Sequence, residues 1–280
     1  MNEPKVMVAR QISKWVCHKL ECFSDYIEVY TRKNSGGCYL ELFAGCGSCS
    51  CRGTDCLVDG SELRALKTKN GFTKCIFVVR NGQDAENLER LTVALSSDSS
   101  VISGNCISER VMRQVFDLIP RSAASFAFID PPGYARLRWS TVKKLAAHGR
   151  DWRGHRMELL ITLPLEMALL RNLTRPECEA SINRLYGNRQ WQQIRQKVLD
   201  GKIGRDKARR QLVALFKAGL KSLGYRYVDD LKPARFSNPP YYHLIWASDR
   251  GSMAKELADA WGKPRYLPCE LFHDEGKGKS

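Results

Sequence analysis

Short apolar runs, each bounded by polar or turn residues, punctuate the chain: CYLELF (38–43), KCIFVV (74–79), SVISG (100–104), SFAFID (125–130) and ELLITLP (158–164). Runs this short and continuous predict strands buried on both faces. Between them lie stretches of helical character over 60–70, 84–95, 108–118 and 140–148. Strand and helix in alternation predict an α/β fold with a doubly wound, mostly parallel sheet. Ahead of this series, Val8, Ile12, Trp15, Val16, Leu20, Phe23 and Ile27 form an amphipathic stripe over 6–31, which Asn34 to Gly37 ends.

The alternation stops after Pro164. Residues 165–222 read as helices only, broken at Gly187, Gly201 and Gly204. GYRYVDDL (224–231) and YYHLIWAS (241–248) then predict two more strands, joined by a loop holding Pro233, Pro239 and Pro240, before a helix over 252–261. The expected organisation is an N-terminal helix packing on the core (1–37), a nucleotide-binding-like half (38–164), a helical insert (165–222), a strand pair and helix completing a seven-stranded sheet (223–268), and a tail (269–280).

Charge adds to this picture by its distribution. The formal net charge is +15, yet residues 1–100 hold 13 Lys/Arg against 12 Asp/Glu. Residues 184–221 carry much of the excess: Arg184, Arg189, Arg195, Lys197, Lys202, Arg205, Lys207, Arg209, Arg210, Lys217 and Lys221 stand against Asp200 and Asp206. Such density suits either a solvated helix face or a polyanion, whose counterions are released as phosphates are neutralised. The most apolar long segment, from Met157, is interrupted by Glu158, Pro164 and Glu166, so no membrane span is expected. No N-terminal stretch has the pattern of a secretion signal. The 11 cysteines are therefore expected as free thiols in a reducing cytoplasm.

LFAGCGSCSCRGTDC (42–56) poses a choice of chemistry. Glu41, Phe43, Ala44, Gly45 and Gly47 follow a predicted strand and precede a helix, where a parallel sheet lets backbone approach a ligand. Cys46, Cys49, Cys51 and Cys56 crowd the same loop. Only one pair has the two-residue spacing of a zinc knuckle, and the set does not match the C-x3-C-x2-C of a radical-SAM cluster, so no metal is expected.

YLELFAGCGSCSCRGTDCLVDGSELRAL resembles the opening of the three-Cys-motif partner (TcmP) family. The helix around Trp15, Lys19 and Leu20, then AFIDPPGY with the Trp139 helix, LPLEMALLRNL, LYGNRQW, LKSLGYRYV and YYHLIWAS follow in the family's order. The resemblance implies a class I methyltransferase-like Rossmann fold, S-adenosylmethionine (SAM) as cofactor, and a radical-SAM-like partner carrying a three-cysteine motif. It implies that Glu41 opens the cofactor motif, that Gly45 and Gly47 pass beneath the methionine part, and that Asp130 with Pro131 and Pro132 stands beside the reacting methyl group. Where such folds place a carboxylate for the ribose, this chain has Arg80 and Asn81; arginine has no acceptor, and losing a bidentate acceptor costs about 1–3 kcal/mol. Asn105 takes the place near the adenine.

Methyltransferases acting on exocyclic amines use a D/N-P-P-aromatic tetrad, in which the ring stacks the extruded base. Asp130-Pro131-Pro132-Gly133 follows a strand but lacks the ring, which Tyr134 is expected to supply. Asn238-Pro239-Pro240-Tyr241 has the ring but precedes its strand, and is expected to be a rigid turn. The sequence thus points to a SAM-dependent methyltransferase-like protein acting on or binding nucleic acid. The alternative is a catalytically silent module of the same fold that binds nucleic acid or a partner.

Overall fold

The computed structural model describes residues 10–34, 36–52, 56–95, 98–231 and 242–253, with Glu256 and Asp259. The Asn238 to Tyr241 tetrad and most of the expected last helix lie outside the described residues.

In chain order the elements are β1 (Arg10–Ile12), α1 (Lys14–Asn34), β2 (Cys38–Ala44), β3 (Ser48–Cys51), β4 (Leu57–Asp59), α2 (Ser61–Leu66), β5 (Lys74–Val79) and α3 (Gly82–Ala94). β6 (Ser99–Ser103), α4 (Glu109–Leu118), β7 (Ser125–Ile129), α5 (Trp139–Ala147) and β8 (Glu158–Leu163) continue the alternation. The insert holds α6 (Leu170–Asn172), α7 (Glu179–Tyr186), α8 (Trp191–Leu199) and α9 (Arg205–Ser222), and β9 (Tyr227–Leu231) and β10 (His243–Ser248) close the sheet. Among the described residues no helix is long and apolar enough to cross a membrane.

The main sheet has seven strands in the order β6-β5-β2-β7-β8-β10-β9. All neighbours run parallel except β10, which is antiparallel to both β8 and β9. The expected doubly wound, mostly parallel sheet is therefore what forms. Alternation along each strand sorts its side chains between two cores. One face is aliphatic: Leu40, Leu42, Ile76, Ala127, Ile129 and Ile161 meet α4, α5 and the insert helices. The other is aromatic: Tyr39, Phe77, Phe126, Phe128 and Trp246 meet Phe23, Tyr26 and Tyr30 of α1. Phe126 lies 5.5 Å from Tyr26 and 5.2 Å from Tyr30 between ring centroids, within the range of favourable aromatic packing.

Two expectations are corrected. The helical stripe over 6–31 begins only at Lys14, because Arg10–Ile12 pair in parallel with Cys49–Cys51. The cysteine-rich segment is not a plain loop: β3 and β4 form an antiparallel hairpin, and with β1 a second sheet in the order β1-β3-β4. That pairing brings α1 against the hairpin, where Cys17 and Cys51 are joined in a disulfide rather than being free thiols. Both are buried with Ile12 and Leu20 in a small apolar cluster, which also takes in the half-buried Cys49 and Cys56. Among the described residues no group of three or more His, Cys, Asp or Glu side chains is placed to hold a metal.

Candidate active site

The strand order reverses between β2 and β7, with β5 and β6 on one side and β8 on the other. Crevices at such a switch point, at the carboxyl ends of the strands, are where open α/β sheets bind ligands. β2 delivers Glu41, Phe43, Ala44 and the Gly45–Gly47 turn to this edge, and β7 delivers Asp130.

The glycine turn is closed from above by α2. Gly45 N–H donates to the Glu62 carboxylate, and Gly60 N–H donates to Gly47 O at 2.7 Å. Gly47 has φ +91°, and a Cβ there would stand 3.0 Å from Leu91 Cδ1. At Gly60 a Cβ would meet Glu62 Oε2 at 2.5 Å and Gly47 O at 2.9 Å, so the two segments approach this closely only because Gly60 has no side chain.

Glu41 is buried and accepts hydrogen bonds from Ser61 Oγ at 2.7 Å and Tyr39 OH at 2.8 Å. Burial, and then repulsion from Glu62, pushes its carboxyl well above the usual range. Burial likewise raises Glu62, against the opposing pull of the Gly45 N–H and of Arg10. Asp130 acts unfavourably on both, so three carboxylates share one edge.

Asp130 is the open member of the three, with its side chain 31% exposed. Its Oδ2 accepts from Lys19 Nζ at 2.5 Å, and that lysine, on α1, is 3% exposed. Lys19 Nζ also stands 5.8 Å from the ring centroids of both Phe128 and Tyr242. The pair was not foreseen. Its signal, a lysine in the aromatic stripe of the first helix, is visible only once the helix phase is known.

The remaining site residues are dispersed. Pro131 is buried beside Asp130 and Pro132 is exposed. Tyr134 does not stand at the opening: it is buried in the aliphatic core, its hydroxyl among Cys178, Ser181 and Asn172, and burial raises its pKa first, with Cys178 adding to the rise. Gly133 has φ 177°, an extended conformation open to any residue, and nothing lies within 4 Å of a Cβ built there. Arg80 and Asn81 are exposed at the end of β5, and Asn81 Oδ1 is taken by Gln83 N–H at 3.0 Å as the cap of α3. Asn105 Oδ1 accepts from Ile107 N–H at 3.2 Å.

Ion pairs and exposed side chains both occur among the insert's basic residues. Arg195 is paired with Glu179, Lys202 with Asp200 and Arg209 with Asp206. Arg184, Arg189, Lys197, Arg205, Lys207 and Arg210 are exposed. Arg210, Lys217 and Lys221 recur at helical spacing on α9 and, with Asp230 and His243, line a groove of about 370 Å³. Asp230 Oδ2 stands 2.7 Å from His243 Nδ1, at the same edge of the sheet as Asp130.

The sheet order, its antiparallel β10 and the glycine turn after β2 define a methyltransferase-like Rossmann fold. No protein-family model and no curated protein matches this chain. Solved structures do resemble it. "Crystal structure of M. jannaschii TYW2 in complex with AdoMet" is 9% identical, covering 87% of this chain and 77% of that one at a TM-score of 0.42. "Complex structure of Trm1 from Pyrococcus horikoshii with S-adenosyl-L-Methionine" is 11% identical over 87% of this chain and 58% of that one, at 0.45. A putative O-methyltransferase from Klebsiella pneumoniae is 8% identical over 80% and 78%, at 0.46. Likenesses at this level carry nothing about substrates or residue roles.

Proposed function

We propose that this chain is a SAM-dependent methyltransferase-like protein that acts on or binds nucleic acid. The observation that carries the reading is the Lys19–Asp130 pair beside the Gly45 turn, at the switch point of the sheet. A carboxylate and an ammonium side by side complement the ammonium and carboxylate of an amino-acid zwitterion such as the methionine end of SAM. Asp130 would hold the ammonium, Lys19 the carboxylate, and Gly45 and Gly47 would allow close backbone approach. The ribose end fits less well, because Arg80 offers no acceptor and Asn81 Oδ1 caps α3. When bound, SAM supplies an electrophilic methyl group, and what this chain adds is orientation and charge at Asp130.

The nucleic-acid part rests on the exposed cations of the insert and on the α9 groove. A phosphate chain lying there would reach the Asp130 edge, since His243 on β10 is two strands from β7 and strands are about 4.8 Å apart. The resemblance to three-Cys-motif partner proteins supports pairing with a radical-SAM-like protein, which copurification would reveal.

Calorimetry with SAM and S-adenosylhomocysteine tests the cofactor, and transfer of labelled methyl to RNA or DNA tests the reaction. Binding and transfer that are lost in Asp130→Ala are expected; no heat at millimolar ligand would sink the reading. The silent-module alternative is favoured by one specific observation, that Asp130 is already ion-paired. Nucleic-acid binding without any SAM binding would establish it.

A further inference from the structure

At the amino ends of the parallel strands, opposite the candidate site, buried charge is concentrated on one short turn. Residues 150–156, RDWRGHR, join α5 to β8 and are closed by an antiparallel bridge between Arg150 and Arg156. Asp151, its side chain 2% exposed, accepts from Arg153 N–H at 3.0 Å, from His155 N–H at 2.8 Å, and from the Arg250 guanidinium. Asp249, 3% exposed, accepts from Arg156 N–H at 3.0 Å and from its guanidinium at 2.9 Å. Arg150 Nη1 donates to Gly154 O at 3.0 Å. At the tip stands Trp152, 76% exposed, with Arg153 Cζ 4.3 Å from its ring centroid.

Surface turns are usually the loosely held parts of a fold, and a loose tryptophan lies down on the nearest apolar surface. Here desolvated ion pairs, costly to bury, hold the ring out in water. The sorting of charge is as informative. Asp151, Asp249 and Glu158 are all turned inward and buried. Arg153, against the Trp152 ring, is exposed, as are Arg150, which also reaches Asp249 at 3.7 Å, Arg121, whose backbone lies against Gly149, and Arg226, whose N–H donates to Asp249. The outer surface of the turn thus carries one exposed aromatic ring with a guanidinium against it, and further exposed arginines on the segments packed beside the turn.

We infer that this turn is a stacking platform for an unpaired base of single-stranded nucleic acid, with the surrounding arginines on the flanking phosphates. A ligand complementary to it must offer flat rings and repeated negative charge together, which an unpaired strand does and a duplex, its bases stacked inward, does not. Tryptophan and arginine also anchor protein interfaces, but a turn whose own carboxylate, Asp151, is buried while Arg150 and Arg153 are exposed favours a polyanion. The inference rests on the nucleic-acid reading and extends it to a surface about 20 Å from Asp130, the length of the six-residue β8. A strand held at both ends of the sheet would be gripped well away from the reacting position.

The test uses the full chain and a fluorescent single-stranded oligonucleotide, intact or with abasic positions, titrated against wild type, Trp152→Ala, Trp152→Phe and Arg153→Ala. Trp152 is exposed, so these variants are expected to fold as wild type does. Trp152→Ala should weaken the intact strand roughly ten- to a hundredfold, and Trp152→Phe should restore most of that. The abasic strand should bind wild type and Trp152→Ala alike, because no ring remains to stack. Intact-strand binding within twofold of wild type in Trp152→Ala overturns the platform and leaves the wider reading standing. An equal loss for the abasic strand also overturns it, assigning the turn to phosphates alone. If wild type binds no oligonucleotide, the wider reading fails together with the platform.

Discussion

At the carboxyl ends of the strands Glu41 and Glu62 are buried side by side, and burial pushes both carboxyls up. At the amino ends Asp151 and Asp249 are also closed to solvent, though they lie less deep, and burial alone would raise them too. Instead the His155 N–H and Arg250 outweigh it at Asp151, as the Arg156 N–H and guanidinium do at Asp249, and both carboxyls are held below the usual range. Burial acts in the same direction on all four acids, and the supply of donors reverses its outcome at Asp151 and Asp249. One end keeps ionisation adjustable beside a half-open aspartate, as a ligand site requires. The other has its charges matched and holds a shape.

Arg250→Met should break the amino-end network most severely. It removes the guanidinium facing Asp151 and Glu158 and should lower unfolding stability by about 3–5 kcal/mol in urea titrations. A loss under about 1 kcal/mol would mean that this end is not the rigid one. Next, breaking the Cys17–Cys51 disulfide with reductant should cost about 2–4 kcal/mol. Alkylation of unfolded, unreduced protein should leave those two sulfurs unlabelled; their labelling would remove the tie between α1 and the hairpin. Gly47→Ala should cost about 1–3 kcal/mol by thermal melting, from the positive φ and the Leu91 contact, while Gly133→Tyr should lie within about 0.5 kcal/mol of wild type.

The smallest effect, on the order of 1 kcal/mol, is in the pH dependence of stability. Depressed carboxyls such as Asp151 contribute stability that is present above their unfolded pKa, about 3.9, and lost as pH falls through the folded value. Raised carboxyls such as Glu62 contribute stability present below about 4.3, which is lost as pH rises toward the folded value. Asp151→Asn should therefore flatten the acid limb of a stability profile, and Glu62→Gln the limb above pH 4.5. If both variants changed the same limb, the contrast between the two ends would be wrong.

The inner strands were legible because both of their faces are buried and their apolar runs are unbroken, as in KCIFVV, whereas the edge strands β6 and β9 are only partly buried. The β3–β4 hairpin was not legible. Ser48–Cys51 has no apolar alternation, and its pairing with Arg10–Ile12 depends on partners distant in sequence. Asp130 and the Gly45 turn followed from their positions after strands. Lys19 did not, because the identity of its partner depends on how α1 lies across the sheet. Tyr134 was expected at the opening from adjacency alone, and the extended backbone at Gly133 carries it instead into the aliphatic core.

The aromatic face also has a consequence for how the molecule is made. Its partners lie far apart along the chain: Trp246 Nε1 donates to Tyr26 OH at 3.1 Å across 220 positions of sequence. At about 5–20 residues per second, a ribosome takes roughly 10 to 45 s to bring the second ring out after the first. Throughout that interval Phe23, Tyr26 and Tyr30 lack the strand that completes their cover. The nascent chain must wait with this aromatic helix uncovered, which makes α1 the segment most in need of a holding chaperone.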